Sequence, residues 1–212
     1  MGCMHKIGEE KICPYCGYLE GTPYIHAYLP PKTVLQERYV VGKLLAYNGE
    51  GATYIGYDAA LNVRVLIREY MPESLCQRVE EDHSLTIVHG CETQYKTYLS
   101  DFADLAKAQI KMRTISMIVP VLEVFSLNNT MYIVYEHVDA VPFQEYLMQN
   151  GGELTWAQTK ALFLPFLSAL NIIHTANIVH CGISPSTLLW TTPANCGCLA
   201  FQSTRCAVRA AI

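Results

Sequence analysis

His-Cys-Gly-Ile-Ser-Pro-Ser-Thr-Leu-Leu, residues 180–189, is the stretch of the chain that decides its fold. The proline and the two final leucines are typical of a loop that leads into a buried strand. Position 182 is glycine and position 187 is threonine, so neither position supplies a carboxylate or an amide side chain. Glycine can neither take a proton nor bind a cation. The interpretation of this stretch therefore depends on which other motifs surround it, and in which order.

A glycine-containing turn lies near the start of the chain. Residues 42–54, Gly-Lys-Leu-Leu-Ala-Tyr-Asn-Gly-Glu-Gly-Ala-Thr-Tyr, predict a strand, a turn and a second strand. A turn with the pattern G-x-G-x-x-G brings backbone N–H groups close to phosphate oxygens, because glycine has no side chain. Ala46, Asn48 and Gly51 stand at the three glycine positions. Taken alone, Asn48-Gly49 favours a plain hairpin turn.

Three further segments follow the turn, and a fourth follows the loop. Residues 65–72, Val-Leu-Ile-Arg-Glu-Tyr-Met-Pro, predict a strand that contains Arg68. Residues 98–106 predict a helix, and residues 131–138 predict a strand that runs into a connecting segment. Residues 199–205 read Leu-Ala-Phe-Gln-Ser-Thr-Arg. The apolar residues of these segments are expected to be buried in strands: Val65, Ile67, Ile133, Val134, Leu188 and Leu189.

In this order and spacing, the six segments resemble the motifs of bacterial serine/threonine protein kinases that have an N-terminal zinc ribbon. The resemblance covers nearly the whole chain. It implies an α+β, protein-kinase-like fold, with a five-stranded antiparallel N-lobe sheet and one helix over roughly Leu35–Glu136. A partial helical C-lobe would follow, and a short zinc-ribbon-like segment would precede the sheet.

The resemblance implies that residues 180–189 are a degenerate catalytic loop. The kinase pattern is H-R-D-[LI]-x-P-x-N-[LI]-L, in which the Asp accepts the substrate hydroxyl proton and the Asn holds a metal ion. His180 is kept, Gly182 replaces the Asp and Thr187 replaces the Asn. Ala200 replaces the metal-binding Asp of the D-F-G segment. One electrostatic contact is typically worth about 10²–10³ in rate, so losing several together should cost several powers of ten.

The nucleotide-binding positions are altered as well. The resemblance implies that Ala46, Asn48 and Gly51 cover the phosphates, that Arg68 replaces the phosphate-contacting lysine, and that Asp101 replaces the glutamate paired with that lysine. Arginine keeps the charge, but its planar fork does not replace a compact ammonium group. The positions that would contact adenine are Tyr135, Glu136 and Val138. ATP binding is therefore in doubt.

Two functional hypotheses follow. The first is a catalytically inactive, kinase-like domain, a pseudokinase, that acts as a protein interaction or regulatory module. The second is a kinase-family protein that retains ATP binding or weak phosphotransfer, with Arg68 paired to Asp101. A thermal shift with and without ATP and Mg²⁺ separates them, because a ligand that binds only the folded state stabilises it.

Cysteines near the N-terminus predict a metal site. Cys13-Pro14-Tyr15-Cys16-Gly17 has the C-x-x-C spacing with which two thiolates reach one tetrahedral zinc ion. Cys3 would be a third ligand and His5 a fourth, although C-x-H is an uncommon spacing. The alternatives are a frayed segment without metal and, less favoured, a redox C-x-x-C motif, which lacks the βαβ context.

Composition limits the other functions. The formal net charge of the 212-residue chain is -4, so no basic excess favours nucleic acid. The N-terminus has no apolar signal segment, and the scattered pattern of nine cysteines indicates reduced thiols, which together predict a cytoplasmic protein. Residues 161–183 are apolar, but Pro165, Asn171 and His174 argue against a membrane span.

The predicted organisation has four parts: residues 1–20 as the zinc-ribbon-like segment, 21–34 as a linker, 35–138 as the N-lobe and 139–212 as the partial C-lobe. Within the last part, a long helix is predicted from Trp156 to Ala176, with Thr155 as its cap. No Asp, Glu, Lys or Arg occurs between Lys160 and Arg205. An uncharged surface over residues 161–204 predicts a protein partner or self-association.

Overall fold

The computed structural model describes residues 2–5, 12–115, 117–179 and 183–191, and the backbone of residues 198–201 and 207–208. His180 and Gly182 lie outside the described residues, and only the backbone of Ala200 is described. The chain divides into two units. The first unit is Met1–Ala103 with Leu122–His137, and the second is Asp104–Val121 with Val138–Ile212.

The first unit is built on an antiparallel sheet. Its elements, in chain order, are β1 (Val34–Leu35), β2 (Tyr39–Asn48), β3 (Gly51–Asp58), β4 (Val63–Tyr70), β5 (Cys76–Arg78), β6 (Leu85–Ile87), the first part of α1 (Glu92–Ile110), β7 (Val121–Leu127) and β8 (Thr130–Glu136). Six strands form the main sheet in the order β1-β2-β3-β4-β8-β7, and β5 pairs with β6.

The sheet therefore has one strand more than the five expected. The difference arises near Leu35, where the sequence predicted an uninterrupted first strand. Gln36 and Glu37 have φ angles of 48° and 54°, and these left-handed residues reverse the chain. Leu35 consequently pairs with Tyr39 across a tight turn, which makes β1 a separate strand.

The apolar strand residues that the sequence predicted to be buried in this unit are buried in the structure. Val65 and Ile67 of β4 and Ile133 and Val134 of β8 are buried, and Tyr95 of α1 belongs to the same core cluster as Val65, Ile67 and Val134. The segment that the sequence predicted as a linker also enters this core, because Tyr28 and Leu29 are buried in it.

An ion pair between the half-buried Arg38 and the buried carboxylate of Asp58 fixes the end of β3. The guanidinium of Arg38 donates two hydrogen bonds to Asp58, at 3.0 and 2.7 Å, and a third to Glu123 at 2.9 Å. The carboxylate of Asp58 also accepts the backbone N–H groups of Ala60 and Leu61. The hydrogen bonds from Arg38 hold the pKa of Asp58 below its ordinary value.

This pKa shift predicts a loss of stability in acid. A carboxyl whose pKa is lower in the folded than in the unfolded state contributes stability above its unfolded pKa, about 3.9, and loses it as the pH falls through the folded pKa. Asp58→Asn should therefore lower the urea midpoint at pH 7, and its difference from the wild type should shrink below about pH 4. The exposed Asp101→Asn is the control. A difference that stays constant down to pH 2.5 would contradict this assignment.

The second unit combines helices with short strands. After the end of α1, its elements are β9 (Ala140–Pro142), α2 (Phe143–Gln149), α3 (Trp156–Thr175), β10 (Ile178–Val179), β11 (Leu188–Thr191), β12 (Cys198–Phe201) and β13 (Ala207–Val208). Strands β12, β11 and β9 form one sheet, and β10 pairs with β13. The core contains Phe143, Phe166, Ile173 and Leu188.

The long helix predicted from Trp156 is α3. Thr155 caps it as predicted: its hydroxyl accepts the N–H of Gln158, whose side chain accepts the N–H of Thr155. The helix continues through Pro165 to Thr175. Among the described helices, none combines the length and the hydropathy needed to cross a membrane.

Candidate functional site

The turn between β2 and β3 is closed by the side chain of Asn48. Its amide oxygen accepts the backbone N–H groups of Glu50 and Gly51, at 3.1 and 3.2 Å. The carbonyl oxygen of Glu50 accepts the N–H of Met71, which ties the turn to the end of β4. Gly51 lies so close to β4 that a β-carbon there would be 2.0 Å from the carbonyl oxygen of Glu69. Only glycine allows this approach.

Arg68 lies beneath this turn and is 4% exposed. Its guanidinium donates to the hydroxyl of Thr53 on β3 and to the amide oxygen of Asn48, each at 3.4 Å. The carboxylate of Glu50 lies 3.5 Å from Nη2 of Arg68. The buried cation is thus held by groups of the turn and of the neighbouring strand. Coulombic attraction is stronger at such a buried position than in water.

The other predicted nucleotide positions lie in different surroundings. Asp101 is exposed on α1, and within the described part of the chain Glu50 is a carboxylate that pairs with Arg68. Tyr135 is buried in β8 opposite Leu66, and Glu136 is exposed at the end of that strand. Ala46 is an exposed residue near the end of β2, and Val138 of the second unit is half-buried. The structure therefore brings together Asn48, Gly51 and Arg68 from the predicted set.

Beside Arg68, β4 carries a second buried charge that sequence reasoning missed. Glu69 is 0% exposed and accepts a hydrogen bond from Arg78 at 2.6 Å, from Tyr54 at 2.8 Å and from Tyr132 at 2.7 Å. Burial and the charge of Glu69 raise the pKa of both tyrosines, so both hydroxyls stay protonated and donate. The sequence contained a signal for this buried charge. Side chains alternate between the two faces of a strand, so Glu69 of β4 lies on the same face as the apolar Val65 and Ile67.

Arg78 extends this buried network to two loops. Its Nε donates to the carbonyl oxygen of Ala27 at 3.1 Å, and its Nη1 donates to that of His83 at 2.7 Å. The hydroxyl of Tyr54 accepts the N–H of Leu29 at 3.1 Å. These bonds attach the segment around residues 27–29 to the sheet. The network therefore positions β4, and with it Arg68.

In the second unit, Thr187 has a local role. Its hydroxyl accepts the N–H of Ser184 at 2.9 Å and donates to the carbonyl oxygen of Ser184 at 3.1 Å. Its backbone N–H donates to the same carbonyl oxygen. Threonine at this position closes the turn that begins at Ser184 and leads into β11.

The sequence supplies no carboxylate or amide side chain at positions 182, 187 or 200, so these positions do not fit a magnesium ion.

The predicted cysteines meet near the N-terminus. The Sγ atoms of Cys3, Cys13 and Cys16 all lie within 4.8 Å of one another. Gly17 follows Cys16 and ends the turn that begins at Cys13: its φ of 67° is left-handed, and its N–H donates to the carbonyl oxygen of Cys13. Nδ1 of His5 lies 3.0 Å from Sγ of Cys3. Three clustered thiols can hold a metal ion such as zinc.

The surroundings of Cys13 lower the pKa of its thiol. Burial acts to raise its pKa, but backbone hydrogen bonds at Tyr15 and Cys16 outweigh burial and lower the pKa to about 7. A cysteine binds a metal ion as the thiolate, so the lowered pKa of Cys13 and the clustering of the three Sγ atoms both favour a metal site.

Comparison with known proteins identifies the fold. No protein-family model matches the chain, and no curated protein matches it. The solved structure described as "PpkA-294 apo form", from a bacterial Ser/Thr kinase, is similar to it, with a TM-score of 0.70 and 22% sequence identity. The match covers 82% of this chain and 61% of that chain.

In all, 1817 chains of solved structures match, so the fold is widespread and does not by itself identify an activity. The order of the sheet, the turn over Arg68 and the structural match lead to the same conclusion. The chain has a protein-kinase-like α+β fold with a cluster of cysteines at its N-terminus.

Proposed function

We propose that this protein is a pseudokinase, a kinase-like domain that does not transfer phosphate and acts by binding another protein. The observation that carries the proposal is the state of Arg68. Its buried guanidinium is engaged by Asn48, Thr53 and Glu50, so the cation expected to hold phosphates is neutralised by its own turn. The residues at positions 182, 187 and 200 add no base and no metal ligand.

A phosphotransfer assay tests the inactivity. With radiolabelled ATP, Mg²⁺ and a general protein substrate, we expect no transfer above background, because positioning and charge stabilisation account for nearly all of this catalysis. Thermal unfolding should show no ATP-dependent shift. Transfer of label that disappears in Arg68→Ala would overturn the proposal, and an ATP-dependent shift alone would support the nucleotide-binding alternative.

The proposed binding surface is the outer side of α3. The helical period places Trp156, Leu164 and Leu167 on one side, away from the buried Phe166 and Ile173. Trp156 is 75% exposed, and both leucines are more than half exposed. Large apolar side chains that share an exposed helix face often mark an interaction site. The partner is a second copy of this chain or another protein.

Light scattering across concentration tests this surface. A soluble, defined dimer that dissociates in Leu164→Ser/Leu167→Ser would support self-association. A monomer that binds an apolar dye, and loses that binding in the same variant, would support a different protein partner. Leu61→Ser is the matched control, because Leu61 is equally exposed in the first unit. A monomer without dye binding would exclude the surface.

We also propose that the cysteine cluster binds zinc, with Cys3, Cys13, Cys16 and His5 as the ligands. Zinc prefers four tetrahedral ligands, and Nδ1 of His5 is close enough to Cys3 to complete the set. The ion would lock a segment too short to fold alone.

Elemental analysis after expression with added zinc should find about one zinc per chain, because one four-ligand cluster takes one ion. We expect Cys13→Ser to lose the metal and His5→Ala to bind it more weakly. Cys91→Ser and His26→Ala are the controls, since both residues lie outside the cluster. Well under one zinc per wild-type chain, without chelators, would contradict the assignment.

A further inference from the structure

The chain contains two Asn-Gly sequences, Asn48-Gly49 in the β2–β3 turn and Asn150-Gly151 at the end of α2. An asparagine followed by glycine is chemically labile. The backbone nitrogen of the glycine, which no β-carbon hinders, can attack the amide carbon of the asparagine side chain and expel ammonia. Because the two sites share this dipeptide, their folded surroundings decide which of them reacts.

The surroundings of Asn48 activate its amide. Oδ1 of Asn48 accepts the N–H groups of Glu50 and Gly51 and Nη2 of Arg68, at 3.1, 3.2 and 3.4 Å. These three donors draw electron density from the amide carbon, and they are placed to stabilise the negative charge that develops on Oδ1 during attack. In the described part of the chain, Nδ2 of Asn48 donates no hydrogen bond, so nothing there retains the leaving nitrogen.

The attacking nitrogen belongs to Gly49, which is exposed. No heavy atom lies within 4 Å of a β-carbon placed at this glycine, so the turn has room to form a ring with the side chain of Asn48. Asn48 is half-buried, which leaves the site open to the water that the reaction consumes.

The surroundings of Asn150 act in the opposite direction. Asn150 is the C-cap of α2, where its backbone N–H donates to the carbonyl oxygens of Tyr146 and Leu147. Its Nδ2 donates to the carbonyl oxygen of Tyr146 at 2.8 Å, so the nitrogen that would have to leave is held by the helix. Within the described residues, no donor polarises Oδ1 of Asn150.

We propose that Asn48 is a site of spontaneous deamidation, assisted by the three donors at its Oδ1. The nitrogen of Gly49, after losing its proton to hydroxide, forms a bond to Cγ of Asn48. The bond from Cγ to Nδ2 breaks, ammonia leaves with a proton from solvent, and a cyclic succinimide remains. Water then opens the ring, so that the net change replaces the amide nitrogen by a water oxygen. The inference does not depend on the proposed function, since it concerns only the chemistry of the turn.

The turn also favours one of the two products. Donors that point at Oδ1 activate the Cγ carbonyl of the succinimide, and water that attacks there yields aspartate with an unchanged backbone. The new carboxylate would keep all three donors and would lie beside the guanidinium of Arg68. Attack at the main-chain carbonyl yields isoaspartate, whose longer backbone would disturb the pairing of Asn48 with Gly51.

Peptide mapping by mass spectrometry tests the proposal on the full chain, incubated at mildly alkaline pH and sampled over time. Asn48 should deamidate at least about fivefold faster than Asn150, because a hydrogen bond from a charged donor contributes at least that factor. Synthetic peptides that span the two sites should react at similar rates. Equal rates at the two sites of the folded chain would overturn the inference.

Two variants test the mechanism, with thermal unfolding to verify that each is folded during incubation. Arg68→Met should slow the reaction at Asn48 and leave Asn150 unchanged. Arg113→Met is the matched control, because Arg113 is exposed and its replacement changes the net charge equally. Gly49→Ala should suppress the reaction at Asn48, since a β-carbon hinders the attacking nitrogen. Undiminished deamidation in Arg68→Met would exclude assistance by the guanidinium, and undiminished deamidation in Gly49→Ala would exclude the succinimide route.

The ratio of products provides a readout that the rate does not. Chromatography of the modified peptides separates aspartate from isoaspartate. The folded chain should give a higher share of aspartate than the synthetic peptide, because only the folded turn directs donors at Oδ1. The same share in both would show that the turn does not select the product.

Discussion

Arg78→Ala is expected to destabilise the first unit by about 3–5 kcal/mol, because it leaves the carboxylate of Glu69 buried without its cation. The carbonyl oxygens of Ala27 and His83 would lose their donors at the same time. Urea unfolding followed by far-UV circular dichroism measures the effect. Both tryptophans, Trp156 and Trp190, belong to the second unit, so tryptophan fluorescence reports whether the loss is confined to the first.

A double-mutant cycle separates charge from packing. Arg78→Met with Glu69→Gln should be less destabilised than Arg78→Met alone, since the neutral amide removes the buried charge and its one oxygen still accepts a hydrogen bond from one of the two tyrosines, Tyr54 or Tyr132. Arg113→Ala is the control, because Arg113 is exposed. If Arg78→Ala and Arg113→Ala unfold at the same urea concentration, the network does not stabilise the sheet.

The second large effect is expected at Gly51. A β-carbon there would lie 2.0 Å from the carbonyl oxygen of Glu69, and a backbone atom of a paired strand cannot move aside as a flexible side chain can. Gly51→Ala should therefore cost about 3 kcal/mol, the upper part of the range for overpacked sites. The turn would have to leave β4, which would also separate Asn48 and Glu50 from Arg68.

Gly49→Ala provides the comparison within the same turn. No heavy atom lies within 4 Å of a β-carbon placed at Gly49, so this variant should unfold near the wild-type urea concentration. Amide hydrogen exchange across β3 and β4 should rise in Gly51→Ala and stay unchanged in Gly49→Ala. Equal stability of the two variants would mean that the turn does not pack on β4 as described.

Local patterns in the sequence predicted much of the fold. Alternating apolar residues predicted β4 and β8, Asn128-Asn129 predicted the turn between β7 and β8, and Thr155 predicted the start of α3. These features depend on residues near one another in the chain, whose conformational preferences act locally. The absence of a base or metal ligand at positions 182, 187 and 200 is likewise a property of the sequence alone.

Tertiary structure decided which charged groups meet. The sequence suggested Asp101 as the partner of Arg68, whereas the folded turn brings Glu50 to it, because the bond from Met71 to Glu50 folds the turn back onto β4. The sequence also did not predict the pairing of Glu69 with Arg78 or the burial of Tyr28 and Leu29. Each joins residues from separate elements, so it exists only after the sheet has assembled. Sequence by itself determined the order of the kinase-like motifs and the absence of Asp and Asn at positions 182, 187 and 200. Only the packed sheet determined which groups surround Arg68.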